Sequence, residues 1–163
     1  MGSNPARRTY KNFKIKLDGM KIVLCGSLSC AEDILKIKKR LEEKGHEAVL
    51  PKSLGDFSLK NSADAAEFKD RKNYILELKP RYMRDHFDKI AVADSILVVN
   101  TEKKGIKNYI GGNTLAEIMV AFYNNKKIFL LNPVPTDEKF DFIREEIEAC
   151  RPIVLDGNLD LIA

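Results

Sequence analysis

Three short, almost wholly apolar runs constrain this fold more than any other feature. They are Met20–Cys25 (Met-Lys-Ile-Val-Leu-Cys), Ser95–Val99 (Ser-Ile-Leu-Val-Val) and Lys127–Leu131 (Lys-Ile-Phe-Leu-Leu). A strand with one wet face alternates apolar and polar residues. Ser95–Val99 does not alternate, so it fits a strand covered on both sides, the position of a central strand in a parallel sheet. Parallel neighbours need crossover connections, and the intervening segments supply helical periodicity. Ser29, Cys30 and Ala31 lead into a helix to about Lys44, with Ile34, Leu35, Lys38 and Leu41 at helical spacing and Gly45 as the stop. Glu47–Leu50 reads as a second strand ending at Pro51. Lys52–Ser62 reads as a polar loop. A charged helical stretch follows, about Asp64–Val92, with Pro80 breaking or kinking it. Its second part sets Met83, Phe87, Ile90 and Ala91 on one face. After an Asn100–Asn113 loop, Thr114–Asn124 is predicted as a helix with Leu115, Ile118, Met119 and Phe122 inward. Lys139–Cys150 is a further helix and Pro152–Leu155 a short last strand.

Alternating strands and helices predict an α/β, flavodoxin-like or Rossmann-like sandwich of about five parallel strands. Domain organisation follows from the charge. The formal net charge is +4, but residues 1–19 hold five basic side chains and one acid, leaving 23 of each sign in residues 20–163. The expectation is a basic N-terminal extension or leader over 1–19 and a single neutral domain over 20–163. A neutral body argues against a nucleic-acid surface, although a basic tail acting on nucleic acid is a competing reading. Three cysteines without a CxxC pair, and two histidines far apart in sequence, argue against a disulfide framework or a zinc site. They fit a reducing cytoplasm. No apolar run approaches the ~18–20 residues of a membrane span.

Ligands of such sheets bind beyond the carboxyl ends of the strands. The segments to watch are therefore Gly26–Cys30, Asn100–Thr114 and Asn132–Pro135. Gly26-Ser27-Leu28-Ser29 lies between a strand and a helix, where backbone N–H groups favour an anion. It also reads as a plain turn with a cap. It is neither GxGxxG nor a Walker A loop. In Gly111-Gly112-Asn113-Thr114-Leu115-Ala116-Glu117 the glycines admit a ligand close to the backbone. Asn113 or Thr114 can cap the helix, placing Glu117 in its first turn, where the helix dipole favours the ionised carboxylate. Thr114-x-x-Glu117 is equally a capping box with no chemical role. Cys25 reads as a small core residue, His46 as a surface turn residue, and Asp94 as a turn residue. Asn132 is a candidate site residue because it follows a strand. Lys103, Lys104 and Lys107 are loop lysines able to attract phosphate, and Tyr109 is able to stack on a base.

The order Lys21–Cys25 with Gly26-Ser27, then Ala93-Asp94, then Asn113-Thr114-x-x-Glu117-Ile118, then Lys126-Lys127-Ile128 resembles the nucleoside 2-deoxyribosyltransferase superfamily. That superfamily includes 2'-deoxynucleoside 5'-monophosphate N-glycosidases and CMP N-glycosidases. The resemblance spans about residues 20–135. It implies a flavodoxin-like fold, assembly as a dimer or larger oligomer, and cleavage or transfer at the N-glycosidic bond of nucleosides or nucleotides, without metal or organic cofactor. It places the nucleophilic glutamate on Glu117, which would form a covalent glycosyl-enzyme resolved by water or a second base. It places sugar and phosphate binding on Gly26, Ser27 and Ser29 and on Gly111, Gly112, Asn113 and Thr114. The acid that protonates the leaving base falls on His86, with Asp85 and Asp88 as neighbours; His86 and Asp88 are the candidate donors. The sequence departs from the family pattern at Val23, His86, Asn113 and Met119. These departures leave open a non-catalytic nucleotide-binding module of the same fold.

Overall fold

The computed structural model describes residues 19–56 and 71–162. Residues 1–18 of the basic extension lie outside the described residues, as does the first part of the helix expected from Asp64. The five strands are β1 (Lys21–Cys25), β2 (Glu47–Val49), β3 (Ser95–Val98), β4 (Lys127–Leu130) and β5 (Ile153–Val154). All pairings are parallel, in the order β2-β1-β3-β4-β5. This is the flavodoxin order, in which the direction of chain progression reverses between β1 and β3 and opens a crevice there.

The helices are α1 (Ala31–Glu43), α2 (Lys52–Asp56), α3 (Arg71–Asn73), α4 (Lys79–Val92), α5 (Gly112–Tyr123) and α6 (Asp141–Ala149). Successive strand residues point to opposite faces. Ile22, Leu24, Leu97, Val99, Phe129 and Leu131 pack under α1 with Ile34, Ile37 and Leu41. Val23, Cys25, Ile96, Val98, Ile128 and Leu130 pack under α4, α5 and α6, against Ile90, Ile118, Ala121, Ile143 and Ile147. Full cover on both sides explains why the strand sequences do not alternate. No helix among the described residues is long and apolar enough to cross a membrane.

Four local expectations are corrected. Lys52–Asp56 forms a short helix instead of loop. Of the break or kink expected at Pro80, no break occurs: the chain stays helical, with an irregular π-helical turn at Tyr74–Leu78 just before Pro80, which sits at the start of α4, where a missing N–H costs little. The inward face of α4 carries His86 and Ile90, while Ala91 is exposed. Helix α5 begins at Gly112, two residues early, and buries Thr114, Glu117, Ile118 and Ala121. Phe122, expected inward, is 54% exposed. The inward stripe of α5 is thus half polar, and hydrophobic periodicity alone misassigns it.

Candidate functional site

Three elements meet beneath the crevice. Strand β1 ends at Cys25, α4 presents His86 and α5 presents Glu117, all buried. Their thiol, imidazole and carboxyl heteroatoms lie within 4.8 Å of one another. His86 Nε2 is 3.7 Å from Glu117 Oε1 and 3.6 Å from Cys25 Sγ. Asn113, one turn before Glu117, donates its amide N–H to Glu117 Oε1 at 3.0 Å. Among the described residues, Glu117 Oε2 and His86 Nδ1 are buried without a hydrogen-bond partner. Buried orphan groups of this kind cost about 1–3 kcal/mol each and gather where a site has chemistry to do.

Burial sets the protonation. It pushes the Glu117 carboxyl up to about 8, against smaller opposing effects of hydrogen bonds from Cys25 and Asn113. It pulls the His86 imidazole down to about 4, helped by the Lys89 charge and opposed by Asp85. Burial, then the adjacent Glu117, hold the Cys25 thiol well above its ordinary range. At neutral pH the imidazole–carboxyl pair therefore holds one proton. This corrects the expected ionised Glu117. The N-cap of α5 is Gly111, which makes no side-chain cap. Glu117 consequently lies beyond the first turn, and its carboxyl answers to burial instead of the helix dipole. The capping-box geometry is absent for the same reason: Thr114 is inside the helix, not at its N-cap.

Above the pair opens a cavity of about 520 Å³. Gly26, Ser27, Leu28 and Ser29 form one wall, Gly111, Gly112, Asn113 and Thr114 another, and His86 and Glu117 part of the floor. Gly26 belongs at that corner, since a Cβ there would meet the Val99 carbonyl oxygen at 3.0 Å and its φ is +157°. Ser27 accepts the Ser29 N–H at 3.4 Å and shares a 2.9 Å contact between hydroxyls.

Two candidates lie elsewhere. Asp88 is exposed and does not line the cavity; two residues along a helix turn the side chain about 200°, so it cannot share the His86 face. Asn132 is engaged with buried Asn100: its N–H donates to Asn100 Oδ1 at 2.9 Å and its amide to the Asn100 carbonyl at 3.1 Å. Asn100 in turn donates to the carbonyls of Asn132 and Pro133 at 2.9 and 3.0 Å. Asn132 is thus part of a structural clamp.

Sequence reasoning missed Lys79 and Tyr82, which line the cavity together with Met83 and His86. Their i, i+3, i+4, i+7 spacing was the available signal, hidden because the stripe is not apolar. Asp94 accepts the Lys21 N–H at 2.7 Å, a role at the far end of the sheet. The Cys25–His86–Glu117 donor set matches in type what a zinc-like cation accepts. Such a cation would occupy the Glu117 carboxyl oxygen and the His86 nitrogen that face each other there.

Fold and site together define an α/β domain of flavodoxin topology with an imidazole–carboxyl pair at its switch point. No family model matches the chain, and no curated protein matches it. A solved structure described as a 2-deoxyribosyltransferase from the psychrotolerant bacterium Bacillus psychrosaccharolyticus is similar at a TM-score of 0.47 and 16% identity, over 68% of this chain and 70% of that one. A likeness at that level carries no inference about chemistry; the topology stands on the strand order.

Proposed function

We propose that the domain cleaves or transfers at the N-glycosidic bond of nucleosides or nucleoside 5'-monophosphates, with Glu117 as nucleophile. The observation that carries this reading is the convergence, on one cavity, of Glu117, His86 and the two glycine-bearing loops. The resemblance in motif order supports it independently of any structural likeness.

The chemistry follows from one shared proton. Moving it from Glu117 to His86 Nε2 generates a carboxylate and an imidazolium together, which are a nucleophile and an acid. The Glu117 oxygen then bonds to the anomeric carbon as the bond from that carbon to the base nitrogen breaks. The base departs with the proton from His86. Water, or a second base, attacks the glycosyl ester; its proton returns to His86 and the glutamate is released. Asn113 orients the carboxyl throughout through its bond to Oε1.

The test is base release from a panel of nucleosides and 5'-monophosphates. Glu117→Gln is expected to lower kcat by about 10³-fold or more. The wild-type rate is expected to fall below about pH 4 and above about pH 8, where the pair gains a second proton or loses its only one. Unchanged turnover in Glu117→Gln sinks the assignment. Tight nucleotide binding without cleavage in the wild type would leave the binding-module reading instead.

A further inference from the structure

The N-glycosidic chemistry engages Glu117 and His86 and leaves Cys25 without a task. The Cys25 thiol is fully buried and sits behind these two lining side chains. Its Sγ lies 3.6 Å from His86 Nε2, which lies 3.7 Å from Glu117 Oε1, and the donor atoms of all three fall within 4.8 Å of one another. A tetrahedral zinc ion, with bonds of ~2.3 Å to sulfur and ~2.0–2.2 Å to nitrogen or oxygen, sets its donors ~3.4–3.6 Å apart. Both separations from the imidazole are therefore close to those of a zinc sphere. The donors come from β1, α4 and α5, so no short spacing in the chain announces them.

The surroundings fit a cation held reversibly. Asn113 holds Glu117 Oε1 at 3.0 Å, while Oε2 is buried without a hydrogen-bond partner, an oxygen left over for a ligand. A dication, a thiolate, a carboxylate and a neutral imidazole sum to zero, so the loaded site places no net charge in the interior. Sulfur and imidazole donors select zinc-class cations over magnesium or calcium, which prefer oxygen. Three protein donors beneath an open cavity leave the fourth corner of a tetrahedron to water. His86 Nδ1 has no hydrogen-bond partner among the described residues, and a missing outer partner typically lowers metal affinity ~10–100-fold. The lysines of the lining, Lys79, Lys103 and Lys104, add no attraction for a cation. Lys103 begins a hairpin closed by reciprocal 3.0 Å backbone hydrogen bonds with Ile106. Its ammonium is engaged by Ser27 Oγ at 3.0 Å and by the Tyr109 ring, 4.6 Å from the centre. A dication is thus held by its three donors and not by the general field of the cavity.

We propose that Cys25, His86 and Glu117 form a reversible site for a zinc-class divalent cation, and that loading it blocks the nucleophile and the acid together. The cation and the anomeric carbon compete for one carboxyl. The site itself stands on the three side chains, and its blocking role rests on the N-glycosidic reading.

The experiment titrates cobalt(II), and then zinc, into full-length wild type treated with a chelator. Cobalt is expected to bind with the thiolate-to-cobalt absorption and the visible bands of a tetrahedral ion, and zinc to displace it. Cys25→Ala, its fold checked by urea denaturation, is expected to lose the thiolate band. It should bind zinc more weakly by over ~100-fold, beyond the cost of losing an outer partner. The zinc absorption edge of the loaded wild type needs no variant: a single sulfur at ~2.3 Å and lighter donors at ~2.0–2.2 Å are expected. A shell without sulfur, or a thiolate band that survives in Cys25→Ala, overturns the site. Displacement of cobalt by an equal concentration of magnesium overturns the zinc-class assignment. In base release, zinc is expected to raise the apparent KM over the range in which it displaces cobalt. Saturating zinc that leaves an active wild type at its metal-free rate overturns the blocking role. If no nucleoside or 5'-monophosphate releases base without metal, the N-glycosidic reading fails separately, and the cobalt and edge spectra alone decide the site.

Discussion

The two faces of the sheet use the same strands for different ends. Under α1, the strand residues Ile22, Leu24, Leu97, Val99, Phe129 and Leu131 meet Ile34, Ile37 and Leu41, a hydrocarbon contact with buried Ser95 at its edge, at the start of β3. Under α4 and α5, the equivalent layer abuts His86, Thr114 and Glu117, and His86 Nδ1 and Glu117 Oε2 are buried there without a hydrogen-bond partner. Leu24 and Cys25 are neighbours on β1, and the half-turn between them separates packing from chemistry. The first face supplies stability. The second gives some up so that a carboxyl and an imidazole can share a proton away from bulk water.

Three substitutions sharpen that contrast. The largest effect is expected from Glu117→Gln measured against pH. In the folded chain the Glu117 carboxyl titrates at about 8, against an ordinary value of 4.5. The folded state therefore holds that proton more tightly than the unfolded state, and stability falls as pH rises from about 4.5 through 8. Glutamine carries no such cost. Glu117→Gln should match the wild type near pH 4.5 and exceed it by roughly 3–5 kcal/mol above pH 8, as measured by urea denaturation. His86 works in the opposite sense: its cost appears as pH falls from 6.5 through about 4. A stability difference between Glu117→Gln and the wild type that does not change with pH would break the comparison on the polar face.

Next in size is Leu41→Ala, on the fully buried inner side of α1. It should cost about 2–5 kcal/mol at every pH in the same denaturation experiment. Activity per folded molecule should stay at the wild-type level. A change in kcat would show that the two faces are coupled. The smallest effect belongs to Asp88→Asn. Its side chain is exposed and off the His86 face, so base release should stay within about twofold and stability within about 0.5 kcal/mol.

These two faces also explain what the sequence made legible. The unalternating runs at Ile22–Cys25, Ser95–Val99 and Ile128–Leu131 announced a doubly covered parallel sheet; they left the flavodoxin-like and Rossmann-like orders open, and the folded chain takes the former. The loops after the strands pointed to Gly26–Ser29 and Gly111–Thr114, and both walls of the cavity are there. The phase of α5 was not legible. A reading by hydrophobicity turned Phe122 inward, whereas the helix turns Thr114 and Glu117 inward. Thr-x-x-Glu spacing is degenerate between a cap and an interior pair. Only the actual helix start, at Gly112, separates the two. The protonation of Glu117 was likewise invisible, because it depends on burial by residues from β1 and α4, brought together only in the folded chain.

The Asn100–Asn132 clamp has a mechanical consequence. Beyond Val99, β1 has already turned away at Gly26, while the chains leaving β3 and β4 stay joined by four side-chain hydrogen bonds. The two exits form one stiff bracket, and the hairpin bearing Lys103 is rooted in it through the Tyr109 N–H bond to the Thr101 carbonyl. Asn132 therefore acts at a distance, as a rivet that sets where the hairpin's lever arm can swing.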